Sequence, residues 1–207
     1  MAWQRGKLNT MFDPTRPDPA CSAVAAALEG DPFYRSITED CRADDAGRRR
    51  VLERYFAYSI QEGADIGRTV HLADRAHGVA VWLLPQSNEI EVRAARDKRS
   101  FLESTLGVAG LANYYRMVES MRGRAEAIVP EDAWYLSIIA VDPALQGRGC
   151  GRQLLAPTLA EADALGAVTY LETFGAHNVQ FYERLGFTTR AAFDEPTTGA
   201  RYVLMVR

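Results

Sequence analysis

Histidine and cysteine are scarce in this sequence, and their spacing excludes two common kinds of site. The 207 residues include only three histidines and three cysteines, Cys21, Cys41 and Cys150. Such wide separations match neither the ligand pattern of a zinc site nor a disulfide framework. We therefore expect no metal, and we expect free thiols, which are typical of a reducing compartment.

Long apolar runs and an excess of basic charge are also lacking. The N-terminal stretch has no apolar run of signal-peptide length, and nothing approaches the roughly 20 apolar residues that a membrane-spanning helix needs. The net charge of −3 does not favour nucleic acid. The expected partners therefore include neither a membrane nor nucleic acid, and the expected location is the cytoplasm.

Apolar residues make up 47% of the chain, enough for the core of one sizeable domain. Hydrophobic periodicity predicts a strand at 7–12, helices at 19–29 and 45–61, a hairpin of strands at 67–72 and 78–84, helical segments within 86–125, a buried strand at 134–141, a helix at 149–165, a strand at 168–173, a helix at 179–185 and strands at 188–194 and 202–206. This order predicts a mixed α/β sheet with helices on both faces. We expect a single domain over residues 1–207, with a helical insertion at about 86–125.

The segment after the buried strand has the composition of an anion-binding loop. From Val141 it reads Val-Asp-Pro-Ala-Leu-Gln-Gly-Arg-Gly-Cys-Gly-Arg, ending at Arg152. Alternating glycines let the backbone adopt positive φ and approach a ligand closely. Amides at the start of a helix bind phosphate, and Arg148 and Arg152 can add charge-assisted hydrogen bonds.

Two other phosphate-binding patterns fit this loop less well. A P-loop needs Lys followed by Ser or Thr after its last glycine, whereas Arg152-Gln153 stands here. A dinucleotide fingerprint needs glycine at the position of Arg152, although Glu172 stands about where a ribose-binding acid would. A nucleotide-dependent oxidoreductase and a glycine-rich turn without a ligand stay open as weaker alternatives.

Two sequence blocks resemble one family. Gln146-Gly147-Arg148-Gly149-Cys150-Gly151 resembles the Q/R-x-x-G-x-G/A signature of the GNAT superfamily of N-acetyltransferases, and residues 178–187 resemble its second block around Phe-Tyr and Gly-Phe. Segments 63–67, 79–82 and 171–173 look most like the puromycin N-acetyltransferase-type branch. The resemblance implies the GNAT fold, a mostly antiparallel central sheet with one splayed parallel pair and helices on both faces.

The resemblance also implies a site for acetyl-coenzyme A. In the family the loop holds the pyrophosphate of coenzyme A and the preceding strand contacts its pantetheine arm. The residues implied in cofactor binding are Ile139, Ala140, Val141, Gln146, Gly147, Arg148, Gly149, Cys150, Gly151, Arg152, Asn178 and Phe181.

Acetyl transfer to an amine requires proton movement. An alkyl ammonium, with a pKa of roughly 10, must lose a proton before it attacks, and the departing thiolate benefits from an acid. The position of Tyr182 in the second block implies that it is the general acid, and Glu172 is the candidate base. Tyr34, Tyr55 and Trp82 are candidates for the wall of an acceptor pocket.

The function expected from these features is an acetyl-coenzyme A-dependent N-acetyltransferase. It would transfer the acetyl group to a primary amine of a small molecule, by direct attack in a ternary complex. A protein or peptide N-acetyltransferase and a non-catalytic acyl-coenzyme A sensor on the same fold are the alternatives. A homodimer is a further expectation from the resemblance alone.

Overall fold

Residues 18–207 of the chain are described by a computed structural model, and the strand predicted at 7–12 lies outside this range. The helices are α1 Cys21–Leu28, α2 Pro32–Ile37, α3 Asp45–Ile66, α4 Asn88–Thr105, α5 Val108–Glu126, α6 Cys150–Leu165 and α7 Ala176–Glu183. The strands are β1 Gly67–His71, β2 Gly78–Leu83, β3 Trp134–Val141, β4 Thr169–Thr173, β5 Thr188–Asp194 and β6 Arg201–Val206. Among the described residues, no helix has the length and apolar character needed to cross a membrane.

The six strands form one mixed sheet in the order β1-β2-β3-β4-β6-β5. Only β3 and β4 run parallel, and the other neighbouring pairs are antiparallel. The pairing of β3 with β4 comprises Trp134 with Thr169 and Tyr135 with Tyr170. Because that pairing does not continue past Tyr135 over the described chain, the two strands diverge toward their carboxyl ends. The predicted mixed sheet with one splayed parallel pair is confirmed.

Alternation along β2 sends its side chains into two separate cores. Val79 and Val81 pack with the helices α1, α3 and α5 on one face of the sheet. Ala80 and Trp82 pack with α6 and α7 on the other face. Since both faces of β2 are covered, the run from Gly78 to Trp82 is fully buried, and the prediction of helices on both faces is confirmed.

A β-bulge interrupts β3 at the point where it leaves β4. Val81 pairs with Ile138, whereas its neighbour Trp82 pairs with Leu136, so Ser137 is an extra residue in β3. The bulge reverses the alternation of side chains, and Leu136 and Ile138 therefore contribute to opposite cores. The strand thus presents a distorted, half-buried stretch where the sheet opens.

The predicted end of the helix at 45–61 was wrong. Helix α3 continues to Ile66 rather than ending near residue 61, and Gly63 lies inside it. A Cβ atom added to Gly63 would lie 2.4 Å from Cγ1 of Val81. The glycine therefore permits close packing of α3 on β2 and does not terminate the helix.

Candidate active site

A cavity of about 370 Å³ lies where β3 and β4 diverge. Both strands line it, together with side chains from α2, α3, α5 and α7. A volume of this order suits a small molecule. The wall is strongly aromatic; the rings in it are Phe33, Tyr34, Tyr55, Tyr114, Tyr135, Tyr170, Phe174 and Tyr182.

Glu172 of β4 is a half-buried carboxylate in the wall of this cavity. Its Oε2 atom lies 3.5 Å from the hydroxyl group of Tyr135, and its Oε1 atom is buried without a hydrogen-bond partner among the described residues. Burial raises the pKa of Glu172 from its ordinary 4.5 to about 7, and the Tyr135 contact opposes the rise. A carboxylate that titrates near neutral pH has the proton affinity of an efficient general base.

Tyr182 of α7 faces the same cavity and is only 6% exposed. Burial raises the pKa of Tyr182 above its ordinary value, and the nearby Asp31 carboxylate adds to the rise. The phenol therefore keeps its proton at neutral pH.

The three predicted acceptor residues are not all brought together. Tyr34 and Tyr55 line the cavity, with their ring centroids 5.9 Å apart. Trp82 is fully buried in the opposite core, beside Leu136 and α6, and does not line the cavity. Its placement follows from the alternation along β2, which sends Ala80 and Trp82 to the α6 face.

The glycine-rich loop lies at the carboxyl end of β3 and opens α6. Gly147 and Gly149 have φ angles of 76° and 81°, in the left-handed region that favours glycine. Among the described residues, none accepts a hydrogen bond from the backbone amides of residues 147–152. The loop from Gln146 to Gly149 is exposed, as is Arg152. It therefore presents unpaired donors, the positive end of a 16-residue helix and two guanidinium groups to solvent.

Hydrogen bonds hold the turn that joins β3 to the glycine-rich loop. Asp142 accepts a hydrogen bond from the Ala144 amide at 2.9 Å, and His77 Nδ1 lies 3.2 Å from its other carboxylate oxygen. Both contacts lower the pKa of Asp142, and the hydrogen bond from the Ala144 amide has the larger effect. The Gln146 side chain donates to the Val141 carbonyl at 3.1 Å. Gln146 thus holds the loop in place with its side chain.

The other residues implied in cofactor binding fall into two groups. Ile139 and Asn178 line the cavity, and the side-chain amide of Asn178 donates a hydrogen bond to Thr173 Oγ1 at 3.3 Å.

The second group does not line the cavity. Phe181 packs against α6, where a Cβ atom added to Gly151 would lie 3.0 Å from the Phe181 ring. Cys150 is half-buried at the first turn of α6, and Ala140 and Val141 are buried in β3, paired with Val79 and Gly78.

Several charged residues of the cavity wall were missed from the sequence. Asp31 caps α2 by accepting the Phe33 amide at 2.8 Å, and it also lines the cavity. Lys98 of α4 reaches the wall and forms an ion pair with Glu62 of α3, Nζ to Oε2, at 2.8 Å. Burial, the largest single effect, would lower the pKa of Lys98, but Glu62, Tyr114 and Tyr55 together outweigh it and raise the pKa well above its ordinary value. The predicted helix at 19–29 ends just before Gly30-Asp31-Pro32, and Asp before Pro is also a helix N-cap signal.

Comparison with known proteins supports a single class. Residues 105–189 match the family model described as Acetyltransferase (GNAT) domain. A structure from Corynebacterium glutamicum, described as histone acetyltransferase HPA2 and related acetyltransferase, aligns with a TM-score of 0.62 and 22% identity over 96% of this chain and 92% of its own. Arylalkylamine N-acetyltransferase 2 from Aedes aegypti aligns with a TM-score of 0.61 and 12% identity over 91% and 92%. Polyamine N-acetyltransferase from Drosophila melanogaster aligns with a TM-score of 0.60 and 14% identity over 90% and 92%.

The fold, with its splayed parallel pair and its loop at the start of α6, is that of the GNAT acetyltransferases. The segment that matches the family model, residues 105–189, runs from the end of α4 into β5. The loop, Glu172 and Tyr182 all lie within the matched segment.

Proposed function

We propose that this chain is an acetyl-coenzyme A-dependent N-acetyltransferase that acts on a primary amine of a small molecule. The observation that carries the proposal is the row of unpaired amides at residues 147–152, next to a cavity that contains Glu172 and Tyr182. The amine would attack directly in a ternary complex. Acetyl-coenzyme A supplies the activated acyl group when it is bound.

The loop residues fit the diphosphate of coenzyme A. Unpaired amides at a helix N-terminus bind anionic oxygens, and positive φ at Gly147 and Gly149 turns successive amides toward one side. Arg148 and Arg152 are exposed and supply positive charge. We assign Ile139, Asn178 and the half-buried stretch of β3 to the pantetheine arm.

Glu172 and Tyr182 divide the proton transfers between them. The Glu172 carboxylate would accept the proton that an ammonium acceptor loses before attack, directly or through a water molecule. The Tyr182 hydroxyl would protonate the leaving sulfur, and the phenolate would take back the second proton that the nitrogen loses as the amide forms. A backbone amide of β3 near Ile139 or Ala140 would donate a hydrogen bond to the carbonyl oxygen as negative charge develops on it.

The shape of the cavity favours a small acceptor over a protein. Its wall surrounds about 370 Å³ with aromatic side chains from six elements. The neighbours from mosquito and fly are named for arylalkylamine and polyamine substrates. We extend the proposal to the puromycin N-acetyltransferase-type branch, to one domain over residues 1–207 with the insertion at about 86–125, to a homodimer and to a cytoplasmic location.

The first test is turnover with a panel of primary amines, measured as release of free thiol from acetyl-coenzyme A. We expect release with at least one small amine, and Tyr182→Phe should lower kcat roughly 100- to 10,000-fold. The affinity for coenzyme A, measured by calorimetry, should stay unchanged, since Tyr182 is assigned to proton transfer. Tyr115→Phe is the matched control, because Tyr115 is 39% exposed on α5 and does not line the cavity.

Two results would contradict the proposal. Equal turnover in wild type and Tyr182→Phe would remove the tyrosine from proton transfer. Tight binding of coenzyme A without thiol release for any amine would favour the non-catalytic sensor.

A further inference from the structure

Some charged side chains of the cavity wall have an oppositely charged partner, and others have none. Lys98 is paired with Glu62 at 2.8 Å, and the exposed Arg122 is paired with Glu126 at 3.5 Å. Asp31 and Glu172 line the same cavity, and neither has a cationic partner among residues 18–207. The unpaired charge of this wall therefore comes from two carboxylates.

Asp31 and Glu172 come to the wall from different elements. Asp31 caps α2, with one carboxylate oxygen bound to the Phe33 amide, whereas Glu172 projects from β4. The charge of Asp31 acts on the buried phenols of Tyr34 and Tyr182. A desolvated carboxylate among aromatic rings is unfavourable without a cation, and both the carboxylate and the ring faces attract one.

We propose that the acceptor carries a second cationic nitrogen, which binds Asp31 while its primary amine is presented to Glu172. The substrate class is a diamine or an amine with another basic group, built on an alkyl or aromatic body. Asp31 is the specificity-determining residue, and the nitrogen that it binds keeps its charge through the reaction. This inference rests on the proposed function, because the cavity is assigned there to the acceptor.

The test compares matched amine pairs that differ only in the second nitrogen. Putrescine is compared with butylamine, and para-xylylenediamine with para-methylbenzylamine, by calorimetry in the presence of coenzyme A and by thiol release. In wild type, the diamine of at least one pair should bind about 10- to 100-fold more tightly than its monoamine, the range expected for a hydrogen bond to a charged group. The difference should appear mainly in KM.

Asp31→Asn should reduce that preference to about onefold and leave the monoamine unaffected. Asparagine caps a helix as well as aspartate does, so α2 should keep its N-cap. Asp44→Asn is the matched control, because Asp44 caps α3 by accepting the Gly47 amide at 2.9 Å and does not line the cavity. This variant should keep the full preference for the diamine.

The inference is overturned if neither diamine binds more tightly than its monoamine, or if Asp31→Asn and Asp44→Asn retain the same preference. Calorimetry decides this even without turnover, whereas failure of the proposed function would show as absence of thiol release with every amine. Equal turnover of diamine and monoamine would leave the acetyltransferase activity established and remove the role of Asp31.

Discussion

Glu172→Gln should lower kcat roughly 100- to 10,000-fold, the usual contribution of a positioned general base, and leave coenzyme A binding intact. In wild type, kcat/KM should rise with pH through about 7, because burial raises the pKa of Glu172 to that value and only the carboxylate accepts a proton. In Glu172→Gln, kcat/KM should no longer show this rise with pH. The measurement is thiol release across a pH series for both proteins.

The titration of Glu172 also predicts that stability changes with pH, in the direction opposite to the change in kcat/KM. Between the ordinary pKa of 4.5 and the folded pKa of about 7, the unfolded chain releases the Glu172 proton while the folded protein retains it. The free energy of unfolding should therefore fall as pH rises through this window, and Glu172→Gln should reduce the fall.

Glu161→Gln is the matched control for Glu172→Gln. Glu161 is a half-buried carboxylate on α6 that pairs with Arg68 at 2.7 Å. This variant should change neither the pH profile nor kcat. A wild-type level of turnover in Glu172→Gln would contradict the assignment of Glu172 as base.

Replacing both loop glycines by alanine, Gly147→Ala with Gly149→Ala, should weaken coenzyme A binding by about two orders of magnitude. Each alanine in the left-handed region costs about 1–2 kcal/mol relative to glycine, so the backbone should relax and turn its amides away from the ligand. Nothing lies within 4 Å of a Cβ atom added at either position, so a steric clash cannot explain the loss. Calorimetry with coenzyme A measures the effect.

Gly199→Ala is the control for the loop variant, because it introduces similar backbone strain at a position away from the loop. Gly199 also has a positive φ, 65°, and open space around an added Cβ atom, but it lies between β5 and β6. The variant should lower the melting temperature and leave the affinity for coenzyme A unchanged. If the loop variant binds coenzyme A as tightly as wild type, the loop does not hold the diphosphate.

The sequence predicted those features that depend on local patterns. The bounds of β3 were predicted without error, because a buried apolar run followed by Asp-Pro leaves little ambiguity. Glycine also permits the positive φ angles that Gly147 and Gly149 adopt. The roles assigned to the loop, Glu172 and Tyr182 came from the family resemblance, and they stay proposals.

Features that depend on distant contacts could not be predicted. Trp82 was assigned to the acceptor pocket, but β2 is buried on both faces, so its sequence does not show which face the side chain takes. The bulge at Ser137 could not be predicted either, because nothing in this apolar run of residues indicates where a strand gains an extra residue. Asp31 is a helix cap in sequence, and only the tertiary fold places it on the wall with Glu172.

The central claim is tested most directly by a titration of the labelled protein with coenzyme A, followed by the chemical shifts of backbone amides. We predict that the largest shifts fall on residues 147–152, and that pantetheine, which lacks the diphosphate, shifts Ile139 and Asn178 but leaves those six amides unchanged. Binding of coenzyme A without a shift at residues 147–152 would contradict the account.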